Sequence, residues 1–148
     1  MNKTNNKSLL AISFSQGFTS PNIPIASFTQ GDKQLYFIID TGSDKNLINS
    51  SALADLEYEE HELSNKQLIT GVGGTKEVSA CKINFEGGKV NYSTVFLVAD
   101  LDAPFEMIRE AHGIQLHGML GSIFLKENNL IIDFNNLMLY SKNDLPRD

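Results

Sequence analysis

Cysteine is almost missing from this chain: Cys81 stands alone among 148 residues. A lone thiol closes no internal disulfide, so the sequence predicts a reducing, cytoplasmic setting rather than a secreted disulfide scaffold. Basic residues are also short, with 12 Lys and Arg against 18 Asp and Glu and a formal charge of −6. No basic stripe is left to follow a nucleic-acid backbone. The apolar runs, Tyr36 to Ile39, Val95 to Ala99 and Leu137 to Tyr140, are short. A membrane-spanning helix needs ~20 such residues, so no membrane partner is expected. Leu9 to Ile12 follow Lys3 and Lys7 in leader-like order, but Ser13, Ser15 and Gln16 interrupt them and no Ala-x-Ala-like site follows. His61, His112 and His117 have no metal-ligand spacing, and no cofactor is expected. There is no Gly-x-Ser-x-Gly elbow, and no Lys-Ser or Lys-Thr follows the glycines at 71–74 as a phosphate loop requires.

What is present suits one globular domain. Hydrophobic residues are 41% and charged residues 20% of the chain, enough for a core at this length. The expected organisation is a flexible N-terminal segment over 1–20, one domain over 21–142 and a polar tail over 143–148. Turn signals recur at short intervals, separated by runs rich in Ile, Val, Phe, Tyr and Thr, the pattern of an all-β sandwich or barrel. Strands are expected at Pro24 to Thr29, Gln34 to Ile39, Gln67 to Ile69, Lys76 to Phe85, Val90 to Val98, Leu130 to Phe134 and Leu137 to Tyr140. The last two face each other across Asn135-Asn136. Short helices are expected at Ser50 to Leu56 after Asn49, a good N-cap type, at Pro104 to Ala111 before Gly113, and at Ser122 to Glu127.

Three elements carry chemistry. Asp40-Thr41-Gly42-Ser43 follows the apolar tract Leu35 to Ile39. That order puts a carboxylate on a tight turn at the end of a buried strand, with Gly42 allowing close backbone approach. Taken alone, Asp-Thr-Gly also suits an ordinary strand-ending turn. Thr70-Gly71-Val72-Gly73-Gly74-Thr75 lies between strand-like runs and reads as a glycine-rich hairpin tip. Met119-Leu120-Gly121-Ser122 reads as a strand ending where another backbone packs closely. Cys81 reads as a small apolar filler and the histidines as surface or packing residues.

In this order the three elements resemble the aspartic peptidases, specifically the single-domain retropepsin-like family and its bacterial relatives, over roughly Pro24 to Tyr140. The resemblance implies a mainly β acid-protease barrel with a flap hairpin and one to three short helices, hydrolysing a peptide or protein substrate. It implies that Asp40 is catalytic, that Thr41 braces the partner subunit's loop and that Gly42 accepts substrate hydrogen bonds. Ser43 and Asp44 would contact substrate, Asp44 matching an acidic position that meets the substrate backbone. Gly71, Val72, Gly73 and Gly74 would form the flap tip. Viral members usually carry Arg after the glycine matching Gly121, where this chain has Ser122.

The chemistry needs two carboxylates, and the chain offers one Asp-Thr-Gly. Ile131-Ile132-Asp133 repeats Ile38-Ile39-Asp40, but Phe134 and Asn135 follow it, so Asp133 reads as a turn former. A C2 homodimer with both Asp40 residues at the axis supplies the pair. The alternative function is a non-catalytic peptide- or protein-binding, dimerising module on the same fold. A small-molecule-binding β-barrel leaves the order of the motifs unexplained.

Overall fold

The structure, a computed structural model, describes residues 12–19, 22–62, 67–71 and 74–141. Along the chain these form β1 (Ile12–Ser13), α1 (Ser15–Thr19), β2 (Ile25–Gln30), β3 (Lys33–Asp40), β4 (Leu47–Asn49), a 3-10 helix (Ser50–Asp55) and β5 (Glu59–His61). There follow β6 (Gln67–Gly71), β7 (Gly74–Val78), β8 (Ala80–Gly87), β9 (Val90–Ala99), α2 (Asp102–His112), β10 (Gly118–Gly121), α3 (Ser122–Glu127), β11 (Leu130–Asp133) and β12 (Met138–Ser141). No helix among the described residues is long and apolar enough to cross a membrane.

The strands obey their two-residue period. In β3, Leu35, Phe37 and Ile39 are buried while Tyr36 and Ile38 point the other way; in β8, Cys81, Ile83 and Phe85 are buried between exposed Lys82, Asn84 and Glu86. Those inward positions meet in an aromatic centre of Phe28, Phe37, Phe85, Tyr92, Phe96 and Phe124, whose rings lie 5.1–6.1 Å apart, mostly tilted or edge-on. Gly88 and Lys89 (φ 56° and 65°) turn β8 into β9 as a two-residue hairpin with both residues left-handed. The strand order β2-β3-β10-β4-β9-β8 closes where Thr29 of β2 pairs with Glu86 of β8, giving a barrel, and β5 adds to β8 outside the ring. β10 runs between β3 and β4, parallel to β3 and antiparallel to β4. On the outer face of β3, Tyr36 and Ile38 pack with Ile25, Phe105 of α2, Ile114 and Leu116 as a second apolar cluster.

Several sequence expectations change. Part of the expected N-terminal segment, residues 12–19, packs on the domain: Ile12–Ser13 pairs with β12, and Phe14 is fully buried against Phe18 and Phe134. The rest of the expected N-terminal segment, and the tail at 143–148, lie outside the described residues. The predicted strand Lys76 to Phe85 breaks at Ser79, whose carbonyl accepts the Val98 N–H at 2.9 Å. Asn49 sits at the N-cap of the 3-10 helix without capping it. Its amide instead donates to Asp102 (2.8 Å) and Ser51 (3.1 Å) and accepts the Leu101 N–H (2.9 Å), tying β4 to the start of α2. The turn between β11 and β12 spans Phe134 to Leu137, and the left-handed residue is Leu137 (φ 54°) rather than either asparagine.

Candidate active site

Asp40 is the last residue of β3 and lies on the strand face that carries Tyr36 and Ile38, opposite the aromatic centre. Its side chain is half-buried, and Thr41 and Gly42 beyond it are exposed. The carboxylate shapes its own loop: Asp40 Oδ1 accepts the Gly42 N–H at 3.0 Å, and the Asp40 carbonyl accepts the Ser43 N–H at 3.2 Å. Ser43 Oγ donates to the Lys45 carbonyl (3.0 Å) and accepts the Lys45 N–H (3.3 Å), which turns the chain back toward β4.

The loop rests on the end of β10. Gly121 opposes Asp40 in the parallel register, and the Ser122 N–H donates to the Ser43 carbonyl at 2.7 Å. A Cβ on Gly121 would stand 2.5 Å from the Lys45 carbonyl oxygen and 2.7 Å from that of Ser43, so only glycine allows the loop to cross here. Asn46 completes the support and is a residue that sequence reasoning passed over. Its buried amide donates to Thr94 Oγ1 (3.1 Å) and the Val95 carbonyl (3.0 Å), and its Oδ1 accepts the Gly121 N–H at 2.9 Å. The only signal was a polar amide opening the apolar stretch Asn46-Leu47-Ile48, which also reads as one more turn residue.

Around this loop the predicted residues fall as follows. Asp44 is exposed and pairs with Lys45 at 3.8 Å, an open ion pair of little energetic weight. A surface hollow of about 360 Å³ borders the loop along Asp44, Lys45 and Asn46, between β9 and α3. A larger one of about 620 Å³ lies over β8 and β9 near Gly31, away from Asp40. β6 and β7 pair from Gln67↔Val78 to Gly71↔Gly74, which leaves a two-residue tip. Val72 and Gly73, that tip, lie outside the described residues.

Asp133 is engaged elsewhere. It accepts the backbone N–H groups of Asn135 (2.9 Å) and Asn136 (3.0 Å), the Asn136 side-chain amide (2.8 Å) and the Tyr140 hydroxyl (3.3 Å). Those donors, led by the Asn136 side chain, hold its pKa below the usual carboxylate value. His117 packs inside: its Nδ1 accepts the Tyr36 N–H at 3.1 Å. Burial raises the Cys81 thiol to about 11. No group of three or more His, Cys, Asp or Glu placed to hold a metal occurs among the described residues.

Comparison with known proteins agrees with this geometry. The chain is similar to the crystal structure of the retroviral protease-like domain of Ddi1 from Leishmania major, with a TM-score of 0.55 and 13% identity, over 82% of this chain and 89% of that one. At that identity the likeness speaks for the fold, a retropepsin-like β-barrel. No curated protein sequence matches the chain. The family model described as aspartyl protease matches residues 26–124, which span the Asp40 loop, the β6–β7 hairpin and the Gly121 support; the chain belongs to the aspartyl protease family.

Proposed function

We propose that this chain is an aspartic endopeptidase that works as a homodimer, each copy giving one Asp40 to a shared site. The observation that carries the reading is the Asp40 loop: a half-buried carboxylate at a core strand's end, beside exposed Thr41 and Gly42, on a turn that crosses closely over Gly121, whose N–H Asn46 accepts. Water activation needs a carboxylate held in a defined place, and these hydrogen bonds position the loop. One chain supplies one such loop, and a twofold axis supplies the second.

In the dimer, two like charges so close do not both ionise, and the pair shares one proton; aspartic proteases are the standard illustration of this pattern. The ionised carboxylate takes a proton from water as the oxygen attacks the scissile carbonyl. The protonated one donates to the carbonyl oxygen. Collapse of the tetrahedral intermediate breaks the C–N bond, with a proton passing to the leaving amine. Thr41, exposed beside Asp40, would brace the second loop. Gly42 and Asp44 would meet the substrate backbone, and β6–β7 would close over it as a flap. The single buried thiol fits a cytoplasmic enzyme.

The test is cleavage of a mixed peptide library by wild type and Asp40→Asn across pH. Wild-type activity should be bell-shaped with a mildly acidic optimum, because the shared proton is lost on one side and a second is gained on the other. Asp40→Asn should fall to background while remaining folded. Equal cleavage by both proteins would remove Asp40 from the mechanism. No cleavage by either would favour a peptide-binding module on the same fold.

A further inference from the structure

The two surface hollows are one feature. Lys82 and Ser93 line both, so the hollow beside Asp44, Lys45 and Asn46 runs on into the larger one near Gly31. The floor is the outer face of β8 and β9. Tyr92 and Phe96 turn into the aromatic centre, and Asn91, Ser93, Val95 and Leu97 alternate with them on the other side. On β8, exposed Lys82, Asn84 and Glu86 stand opposite Val95, Ser93 and Asn91. From Leu97 to Asn91 this trough runs about 20 Å, the span of roughly six residues of extended chain.

Its two ends differ. Beside the Asp40 loop the lining is apolar, made of half-buried Val95, buried Leu97 and Ile123 of α3, which is 43% exposed. Away from the loop it turns polar, with Asn84, Glu86 and Asn91. At the waist stands Lys82, exposed and without a hydrogen bond or ion pair among the described residues. Glu59 opposes it across the β5–β8 register without forming an ion pair, whereas Lys45 is already paired with Asp44.

We propose that this trough holds a protein substrate outside its cleavage site, as an extended segment with an apolar residue on Val95, Leu97 and Ile123 and an acidic residue two positions farther out, at Lys82. The proposal rests on the peptidase reading and names the substrate class: extended polypeptide, recognised beyond the residues around its scissile bond. The occupant follows from continuity and from charge. The trough begins at the loop that carries Asp40, so a chain leaving the site past Asp44 meets the apolar end first. Alternate side chains of an extended segment share a face, which matches the step from Val95 to Ser93 along the floor. The free ammonium at the waist is complementary to a carboxylate. In a twofold dimer each copy has its own trough, so both flanks of the substrate meet the same preference in the same outward order.

The experiment uses peptides with one randomised core between two flanks that read, outward from the core, Leu-Ser-Glu, Leu-Ser-Lys or Gly-Ser-Glu. Dissociation constants are measured by fluorescence anisotropy on Asp40→Asn, which retains the trough and should hold the peptides uncut. The Leu-Ser-Glu flanks should bind about fivefold more tightly than Leu-Ser-Lys, the scale of two exposed ion pairs. Lys82→Glu in the same background should invert that order, and Ile123→Ser should erase the advantage of Leu over Gly. If Lys82→Glu fails to fold, Lys82→Gln should level the two charged flanks instead. Equal binding of the Glu and Lys flanks, or a preference that Lys82→Glu leaves in place, would overturn the trough. Hydrolysis by wild type is scored separately. Charge-dependent binding with no cleavage of any peptide upholds the trough and defeats the peptidase reading, whereas cleavage that ignores the flanks upholds that reading and defeats the trough.

Discussion

His117 illustrates how one side chain couples packing to pH. Its ring Nδ1 accepts the Tyr36 N–H, beside a backbone bond from the His117 N–H to the Tyr36 carbonyl at 2.9 Å, so the neutral ring helps hold β3 to the segment entering β10. Protonation would turn that acceptor into a second donor facing an N–H. Burial lowers the His117 pKa from its ordinary 6.5, with Asp55 pulling weakly the other way. A depressed basic pKa means that the unfolded chain binds the extra proton first. The contribution is therefore complete above about pH 6.5 and is lost as pH falls below it. Urea midpoints should fall between pH 7.5 and 5.5, and His117→Asn, whose Oδ1 can accept the same N–H without titrating, should flatten that slope. An unchanged slope would take His117 out of the account. Asp133 acts in a separate window: its depressed pKa gives stability above about pH 4 that disappears as pH drops through the folded value. Cys81, buried and raised to about 11, holds almost no thiolate at pH 8. Iodoacetamide should leave it unmodified in the native protein for hours and alkylate it within minutes in urea, as mass spectrometry would show.

Among the elements, the crossing of the Asp40 loop over β10 is the tightest constraint. Gly121→Ala drives a methyl into two backbone carbonyls, which cannot rotate away, so the loop must shift. Overpacking of this kind costs about 1–3 kcal/mol, and a displacement near 1 Å of a catalytic group costs about a hundredfold in rate. Gly113→Ala is the control. Gly113 ends α2 at φ 75° with open space around it, so alanine there should cost about 1 kcal/mol of stability and leave turnover intact. Urea melts and kcat on one peptide, measured for both variants, separate the two effects; equal turnover in both would mean the loop does not need Gly121. The same elements explain what could be read from sequence. β3, β9 and the helices announce themselves by alternation, by apolar runs, or by Pro104 and Gly113 at a helix's ends. β4 is three residues long, and β5 is Glu-Glu-His with no alternation, so both take their conformation from neighbouring strands. β1 and α1 sit among polar residues, and only the burial of Ile12 and Phe14 in three dimensions gives them a place. The Asp40 loop was legible because its residues are adjacent in sequence. Asn46 was not, because its partners Thr94, Val95 and Gly121 come from distant strands.

For the whole molecule, the deciding balance is between the association that a shared site requires and a net charge of one sign. Each chain carries −6, so two chains that associate repel each other at neutral pH. Added salt should therefore screen the repulsion and leave the attraction in place. Lowering the pH toward the isoelectric point near 5.0 would also reduce the charge, but it enters the range where His117 costs stability, so the two effects would be confounded. Ionic strength at fixed pH 7 is the cleaner variable. The dimer dissociation constant should fall severalfold between 20 and 300 mM sodium chloride, where the Debye length drops from roughly 20 Å to about 6 Å. Specific activity at high dilution should rise in parallel, because the shared site exists only in the dimer. Sedimentation and initial rates on the same samples would test both. Weaker association at high salt would point instead to an interface held by opposite charges.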